Sequence, residues 1–294
     1  MKKNAGKNRP FWTAEPLLEE KEVFADLAVK QGSILFLGRY SLNEVVAVMA
    51  KKGFFKEARK RFLWPLVFDF DSSEHPSQRL QIFLREKNPV NRIVDLKIRE
   101  TDFLPEEFPE GLVPFPRQKA LAFEWLTIQN PLVSFSADQV PLPGQARPGL
   151  GIRKNIMDIF VYLGRVMHKD CLLAFPAYFH NAVLFSRYFK FWKPAKEAEF
   201  LAIRKNFLHM NFKQLAWVIH LNCLKRGDGT VYEWKAEEQL YPMAKPLREY
   251  FDSRPYREMV KDLARPLEFS VDWQEYGKKA KDYPFLCGQG KDLL

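Results

Sequence analysis

The sequence predicts an α/β or α+β protein: a mixed, largely antiparallel sheet flanked by helices and followed by a mainly helical extension. Three observations carry that prediction. Between Leu63 and Arg99, the β-rich runs LWPLVFDF, RLQIFLRE and NRIVDLKIRE are separated by the turn formers SSEHPSQ and KNPV, the pattern of an antiparallel meander. Further along, KALAFEWLTIQNP, a glycine-bearing turn, a helix-period segment and the short apolar run CLLAFPA follow one another, which reads as strand, turn, helix and strand. From Glu197 to Leu224 the apolar spacing is mostly helical.

The elements follow in order. After the polar tail MKKNAGKNRPFW, the segment Pro16 to Gln31 places Leu17, Phe24, Leu27 and Ala28 on one helical face and stops at Gly32. Ser33 to Arg39 reads as a short strand. Ser41 with Glu44 is a capping-box pattern that opens a helix through Met49, and FFKEARKRF gives a second helical turn after Gly53. The three runs of the meander come next. The acidic, proline-bearing TDFLPEEFPEGLVPFP is an extended connection, and KALAFEWL, with imperfect alternation, has the pattern of a strand buried on both faces. Ile152, Ile156, Ile159, Leu163 and Val166 share one side of the following helix, with Gly164 as a minor flaw. HNAVLFSRYF is a short helix and KFW begins a strand; helix returns around Tyr256 to Leu263. The expected divisions are 1–32 as tail and helix, 33–194 as the sheet domain, and 195–294 as the helical extension, with TVYEW (230–234) as a strand returning to the sheet.

The totals constrain the class. At 294 residues the chain can bury one large core or two modest ones, and 47% hydrophobic with 28% charged residues is ordinary for a globular protein. The 26 phenylalanines foretell bulky packing. Cys171, Cys223 and Cys287 are far apart and lack CxxC spacing, which argues against a disulfide framework and a thiolate zinc site and fits a reducing, cytoplasmic setting. The N-terminal segment lacks the apolar run and cleavage site of a secretory signal, and no stretch is long and apolar enough to predict a membrane span. Lysine and arginine number 46 against 36 acids, a net charge of +10, which favours anionic partners without separating nucleic acid from a phosphorylated cofactor.

The stretch LPGQARPGLGIRKNIMDIF (142–160) holds the central question. A strand, a glycine turn and an amphipathic helix form a ready anion site, because the first N–H groups of a helix lack internal acceptors. Arg153 and Lys154 stand in the first turn, where the helix dipole disfavours cations by about 0.3–1 kcal/mol each. A bound polyanion would reverse that sign. The alternative is that Gly149 and Gly151 serve turn geometry alone. No Lys-Ser or Lys-Thr follows the last glycine, so this is not a Walker A motif, and GQARPGLG lacks dinucleotide-fingerprint spacing.

The order RPGLGI, helix, CLLAFPA and HNAVLFSRYFKF resembles the central half of the GNAT-type, acyl-CoA-dependent N-acyltransferases. In that family a glycine turn after the fourth strand grips the cofactor pyrophosphate, and the fifth strand splays from the fourth. The resemblance implies a GNAT-like fold over about residues 33 to 194 and an acyltransferase that carries acetyl-CoA or another acyl-CoA to a small-molecule or peptide amine. It further implies that the main-chain N–H groups of Gly149, Leu150, Gly151 and Ile152 bind the pyrophosphate, with Arg147 and Arg153 nearby, and that Asn181 opens the helix closing the cofactor site. The chain departs from the pattern at Ala146, where the family has Gln or Arg. It departs again at Phe185, where the family often has a tyrosine acid, and at Phe189, in place of the usual glycine region.

Acyl transfer to an amine needs a proton acceptor, since a free alkylamine is mostly ammonium at neutral pH. Glu124, on the strand before the turn, is the first candidate base, with Asp138 and His180 behind it; Tyr178 and Tyr188 are candidate acids toward the departing thiolate. Each has a structural alternative as an ion pair or a core aromatic. A GNAT-like protein that binds acyl-CoA without turnover is a second reading. A third is a Mg²⁺-dependent phosphoryl or nucleotidyl enzyme built on Asp69 and Asp71, which share a strand face. The histidines show no HxH or HExxH pattern, and no metal site is assigned. RKNFLHMNFK mixes cations and aromatics as nucleic-acid sites do, but Phe207 and Met210 read first as core.

Overall fold

The structure, a computed structural model, describes residues 35–286. The expected N-terminal helix over Pro16 to Gln31 and the cysteine at 287 lie outside the described residues. Where the expected strand Ser33–Arg39 is described, the chain is a tight turn: Leu37 and Gly38 take φ of 53° and 67° while Phe36 bridges Tyr40. Positive φ at consecutive residues cannot continue a strand.

Helix α1 (Leu42–Lys51) opens with the predicted capping box. The Ser41 hydroxyl accepts from the Glu44 N–H at 3.3 Å, and the Glu44 carboxylate accepts from the Ser41 N–H at 2.7 Å. Helix α2 (Phe54–Arg59) follows and buries Phe54, Phe55 and Ala58. The meander is β1 (Leu66–Asp71), β2 (Gln78–Leu84), β3 (Arg92–Phe103) and β4 (Gln118–Ile128), each antiparallel to the one before. An irregular segment leads from β4 to α3 (Arg153–Val166), then β5 (Cys171–Ala174), α4 (Phe179–Phe185) and β6 (Lys190–Phe191). The remainder comprises α5 (Pro194–Asn206), α6 (Phe212–His220), β7 (Leu224–Arg226), β8 (Gln239–Pro242), α7 (Lys245–Asp252), α8 (Arg254–Ala264), β9 (Phe269–Val271) and α9 (Trp273–Lys279).

The main sheet has seven strands in the order β1-β2-β3-β4-β5-β8-β6, and β7 and β9 form a separate two-stranded sheet. Only β4 and β5 run parallel; the other pairs are antiparallel. The fold is therefore a mixed α/β sheet, largely antiparallel, flanked by helices and followed by further helices. One strand assignment changes. The strand returning to the sheet is Gln239–Pro242, not 230–234, and it inserts between β5 and β6. Within 230–234, Val231 makes a single bridge to Lys225 and Tyr232 is buried with its hydroxyl on Glu199 at 2.8 Å, so those residues serve the second core instead.

Alternation on the central strands explains how both sheet faces are covered. Leu121, Phe123 and Leu172 face the core shared with α1, α2 and α3, while Ala120, Ala122, Cys171, Leu173 and Leu240 face the opposite core under α7 and α8. A third cluster joins α4, α5 and α6 around Phe179, Phe191, Phe200, Trp217 and Tyr232. The glycine within α3 has a packing reason: a Cβ on Gly164 would stand 2.8 Å from the Met243 sulfur and 2.9 Å from a Leu172 methyl.

Candidate functional site

The site begins with a divergence between two strands. Parallel pairing of β4 with β5 runs only from Ala120/Cys171 to Phe123/Ala174. At that point β3 pairs Lys97 with Trp125 and Ile98 with Phe123, leaving Glu124 as the extra residue of a β-bulge. Beyond the bulge β4 continues to Ile128, with no described strand on its β5 side. The Gln129 N–H donates to the Ile93 carbonyl at 2.9 Å, so by alternation Leu126 and Ile128 turn their main-chain groups away from β3. The Ile128 carbonyl lies 3.6 Å from where a Cβ on Gly149 would sit, and the Asn130 N–H holds the Pro148 carbonyl at 2.7 Å. These contacts set the glycine turn beside the open edge of β4.

The turn is anchored by alternation. Leu150 and Ile152 are each 3% exposed and belong to the main core, whereas Gly149 and Gly151, which alternate with them, are exposed. Gly151 has φ 69°, and no described residue comes within 4 Å of its Cβ position; glycine is needed there for backbone conformation. Among the described residues, none accepts a hydrogen bond from the main-chain N–H groups of Gly149 through Asn155; the first bond of the helix is from the Ile156 N–H to the Ile152 carbonyl. No described side chain caps α3, and its first turn contains no acid.

The cations nearby differ in their partners. Arg153 donates to the Leu184 carbonyl in the last turn of α4 at 3.1 Å, so its charge meets the negative end of a neighbouring helix. Arg147 donates to the Ser134 hydroxyl at 2.6 Å. Lys154 is exposed and has no partner among the described residues. Asn155 ties the helix to the end of α1 through the Lys52 carbonyl at 2.9 Å.

A phenol and two imidazoles gather beside the segment leading into the turn. The Tyr178 ring stacks on His180 with centroids 5.2 Å apart and meets His220 edge-on at 5.6 Å, and His220 meets Trp217 at 5.3 Å. Tyr178 packs on Gly144: a Cβ there would stand 2.8 Å from the phenol oxygen, and φ is 74°. The Trp217 indole fixes this segment by donating to the Pro141 carbonyl at 2.7 Å. Burial, with His220 adding to it, pushes the His180 imidazole down to about 4, so it is neutral at pH 7. Partial burial lowers His220 as well. Asn181, in the first turn of α4, is half-buried, and its N–H donates to the Tyr178 carbonyl at 3.0 Å. Tyr188 packs on the main core beyond α4. His220, Trp217 and Gly144 were not legible as site neighbours, because packing of α6 against α4 brings the first two in from far along the chain.

The Glu124 carboxylate is occupied. It accepts from Ser77 at 2.7 Å and Arg99 at 2.6 Å, with Lys97 at 3.6 Å. Burial would raise its pKa, but Ser77, Arg99 and Lys97 outweigh that and hold it below the ordinary value. Asp138 is exposed, and its hydrogen bond with Ser136 lowers it. Asp69 pairs with Lys87 at 2.7 Å and Asp71 accepts from the Ser73 N–H at 2.9 Å; among the described residues no group of three or more His, Cys, Asp or Glu side chains could hold a metal ion. An apolar hole of about 70 Å³ lies between α1, α3 and the sheet, lined by Met49, Leu96, Leu126, Ile156 and Phe160 among others, and does not include the glycine turn. No helix among the described residues is long and apolar enough to cross a membrane. No protein-family model matches the chain, and no curated protein does.

Proposed function

We propose that this chain is a GNAT-like, acyl-CoA-dependent N-acyltransferase. The reading rests chiefly on one observation: the unaccepted N–H groups from Gly149 to Asn155 stand directly beside the open edge of β4 where it leaves β5. A diphosphate is the ligand such a run of donors fits, since amides and helix dipole both favour negative charge. The adjacent strand edge offers Leu126 and Ile128 to an extended amide chain, as an added strand would use it. Acyl-CoA carries both features in sequence, a pyrophosphate and then a pantetheine arm with two amides, which distinguishes it from a nucleotide alone.

In the reaction the amine nitrogen attacks the thioester carbonyl, the C–S bond breaks, and the proton lost by the amine is balanced by one gained by the thiolate. Holding the two reactants together supplies much of the acceleration. We assign the thiolate proton to the Tyr178 hydroxyl, which lies against the glycine-bearing segment, and the amine proton to the neutral imidazoles beside it. Glu124, held as a carboxylate by Ser77, Arg99 and Lys97, is the alternative base.

The test is thermal melting with acetyl-, octanoyl- and palmitoyl-CoA. A ligand at 100 times its Kd adds about 2.7 kcal/mol to native stability, which reads as a clear rise in Tm, and Gly149→Glu abolishes that rise by placing a carboxylate among the donors. No shift with any acyl-CoA overturns the reading. Tyr178→Phe keeps the shift and lowers kcat at least 10-fold against an amine panel. A binding protein without turnover is the second reading, favoured by Phe185: the position packs ring to ring with Phe189 at 5.9 Å and carries no hydroxyl. Binding with no product from any amine supports it over the first.

A further inference from the structure

A groove of about 880 Å³ opens between α5 and α8, far along the chain from the glycine turn. Its floor is apolar: Leu201 and Ala202 of α5, Val260 of α8, and Leu267 beyond it. Its rim is cationic, with Lys190, Lys205, Arg257, Lys261 and Arg265 against Glu197 and Glu268. Arg265 pairs with Asp262 at 3.2 Å, but among the described residues Lys205, Arg257 and Lys261 have no ion pair. Arg257 and Lys261 stand one turn apart on α8 and Arg265 one turn further, just past its end, so the three like charges line one side and repel one another. Of the acids of α8, Glu258 pairs with Arg254 at 2.8 Å, away from the rim, and Asp262 is taken by Arg265 of the rim itself.

The two acids do not cancel the five cations of this rim: Glu268 is a single exposed carboxylate, and Glu197 is buried on the floor. Glu197 is 9% exposed and accepts from the Phe191 N–H at 2.9 Å, and burial pushes its carboxyl up to about 7. The aromatic members of the lining, Phe251 and Tyr256, are 1% and 2% exposed, so neither offers a face on which a base or planar ring could stack. Leu201, 38% exposed, gives the floor an aliphatic surface. The volume matches a single small molecule rather than a polymer.

We infer that this groove is a second ligand site, for one organic anion whose carboxylate or phosphate meets Lys205, Arg257 and Lys261 and whose aliphatic body lies on Leu201, Ala202, Val260 and Leu267. It is independent of the acyl-CoA reading. Isothermal titration of the whole chain with decanoate, kept below its micelle-forming concentration, tests it. Saturable binding is expected, weakened at least 10-fold by the double variant Arg257→Glu/Lys261→Glu and unchanged by Gly149→Glu. Both reversed positions are exposed, and melting curves check that the fold is kept; Leu201→Glu, aimed at the floor, gives the same loss by a second route. Several results overturn the inference: no saturable binding, equal binding by the double variant, equal affinity for decanol, or equal affinity for inorganic phosphate. Loss of decanoate binding in Gly149→Glu alone would move the site to the glycine turn, and binding to phosphatidylglycerol vesicles without binding to free decanoate would mean a membrane surface instead. Both outcomes overturn it too.

Discussion

Glu197 shows how one buried carboxyl sets a pH dependence. Burial raises it from 4.5 to about 7 against the lowering effects of the Phe191 N–H, Lys190 and Arg204. Between those two values the native state holds a proton that the unfolded chain has lost, so this residue makes stability fall as pH rises from 4.5 through 7, with the full penalty present above 7. The shift corresponds to something on the order of 3 kcal/mol. Glu197→Gln keeps the side-chain acceptor for Phe191 and removes the charge, so its melting temperature rises relative to the native chain at pH 8 and converges with it at pH 5. Equal differences at both pH values would contradict this. Nothing in the sequence marked Glu197 beyond its place in a helical run, because its surroundings come from β6 and α8. The glycines were easier to read, since Gly149 and Gly151 stand out as a pair. That Gly151 alone of the pair takes a positive φ, while a Cβ on Gly149 would meet the Ile128 carbonyl at an ordinary 3.6 Å, depends on local geometry that the letters do not encode.

At the level of elements, α3 is a helix whose N-terminal charges disagree with its dipole. Arg153 is relieved by the carbonyl of Leu184, and Lys154 is not. Lys154→Gln is expected to stabilise the ligand-free chain by about 0.3–1 kcal/mol, by removing a cation from a helix N-terminus. The same change weakens acyl-CoA if a pyrophosphate binds there, so the two effects have opposite signs. Melts with and without acyl-CoA separate them, and a variant that gains stability while keeping its cofactor shift would remove Lys154 from the site. The meander was legible because turn formers punctuate each run, and the capping box because Ser41 and Glu44 stand three apart before an apolar stripe. The failures have separate causes. SILFLGR is apolar enough for a strand, but where it is described its backbone turns through positive φ at Leu37 and Gly38. QLYP is too short to declare itself, and becomes a strand only because β5 and β6 present edges on either side.

For the molecule as a whole, the strand order decides how the chain divides. A boundary at 194 follows the change in composition, yet β8 lies within the sheet, paired on one side with β5 and on the other with β6. A fragment ending at Pro194 would leave Leu172 and Leu173 on an uncovered edge and strip Ala122 and Cys171 of the core built by Leu240, Leu247 and Phe251. Such a fragment is expected to aggregate or to be degraded rapidly, as size exclusion and limited proteolysis would report. A soluble fragment with its own cooperative melt would restore the two-domain division. The interposed strand also orders events in time. Among the described residues Lys190 and Phe191 have no sheet partner except Leu240 and Gln239, so while the polypeptide emerges from the ribosome, the far margin of the sheet waits unzipped until those later residues clear the exit tunnel. During that interval a naked strand is available to any passing chain, which makes this the stretch of biosynthesis at which a holding chaperone would matter most.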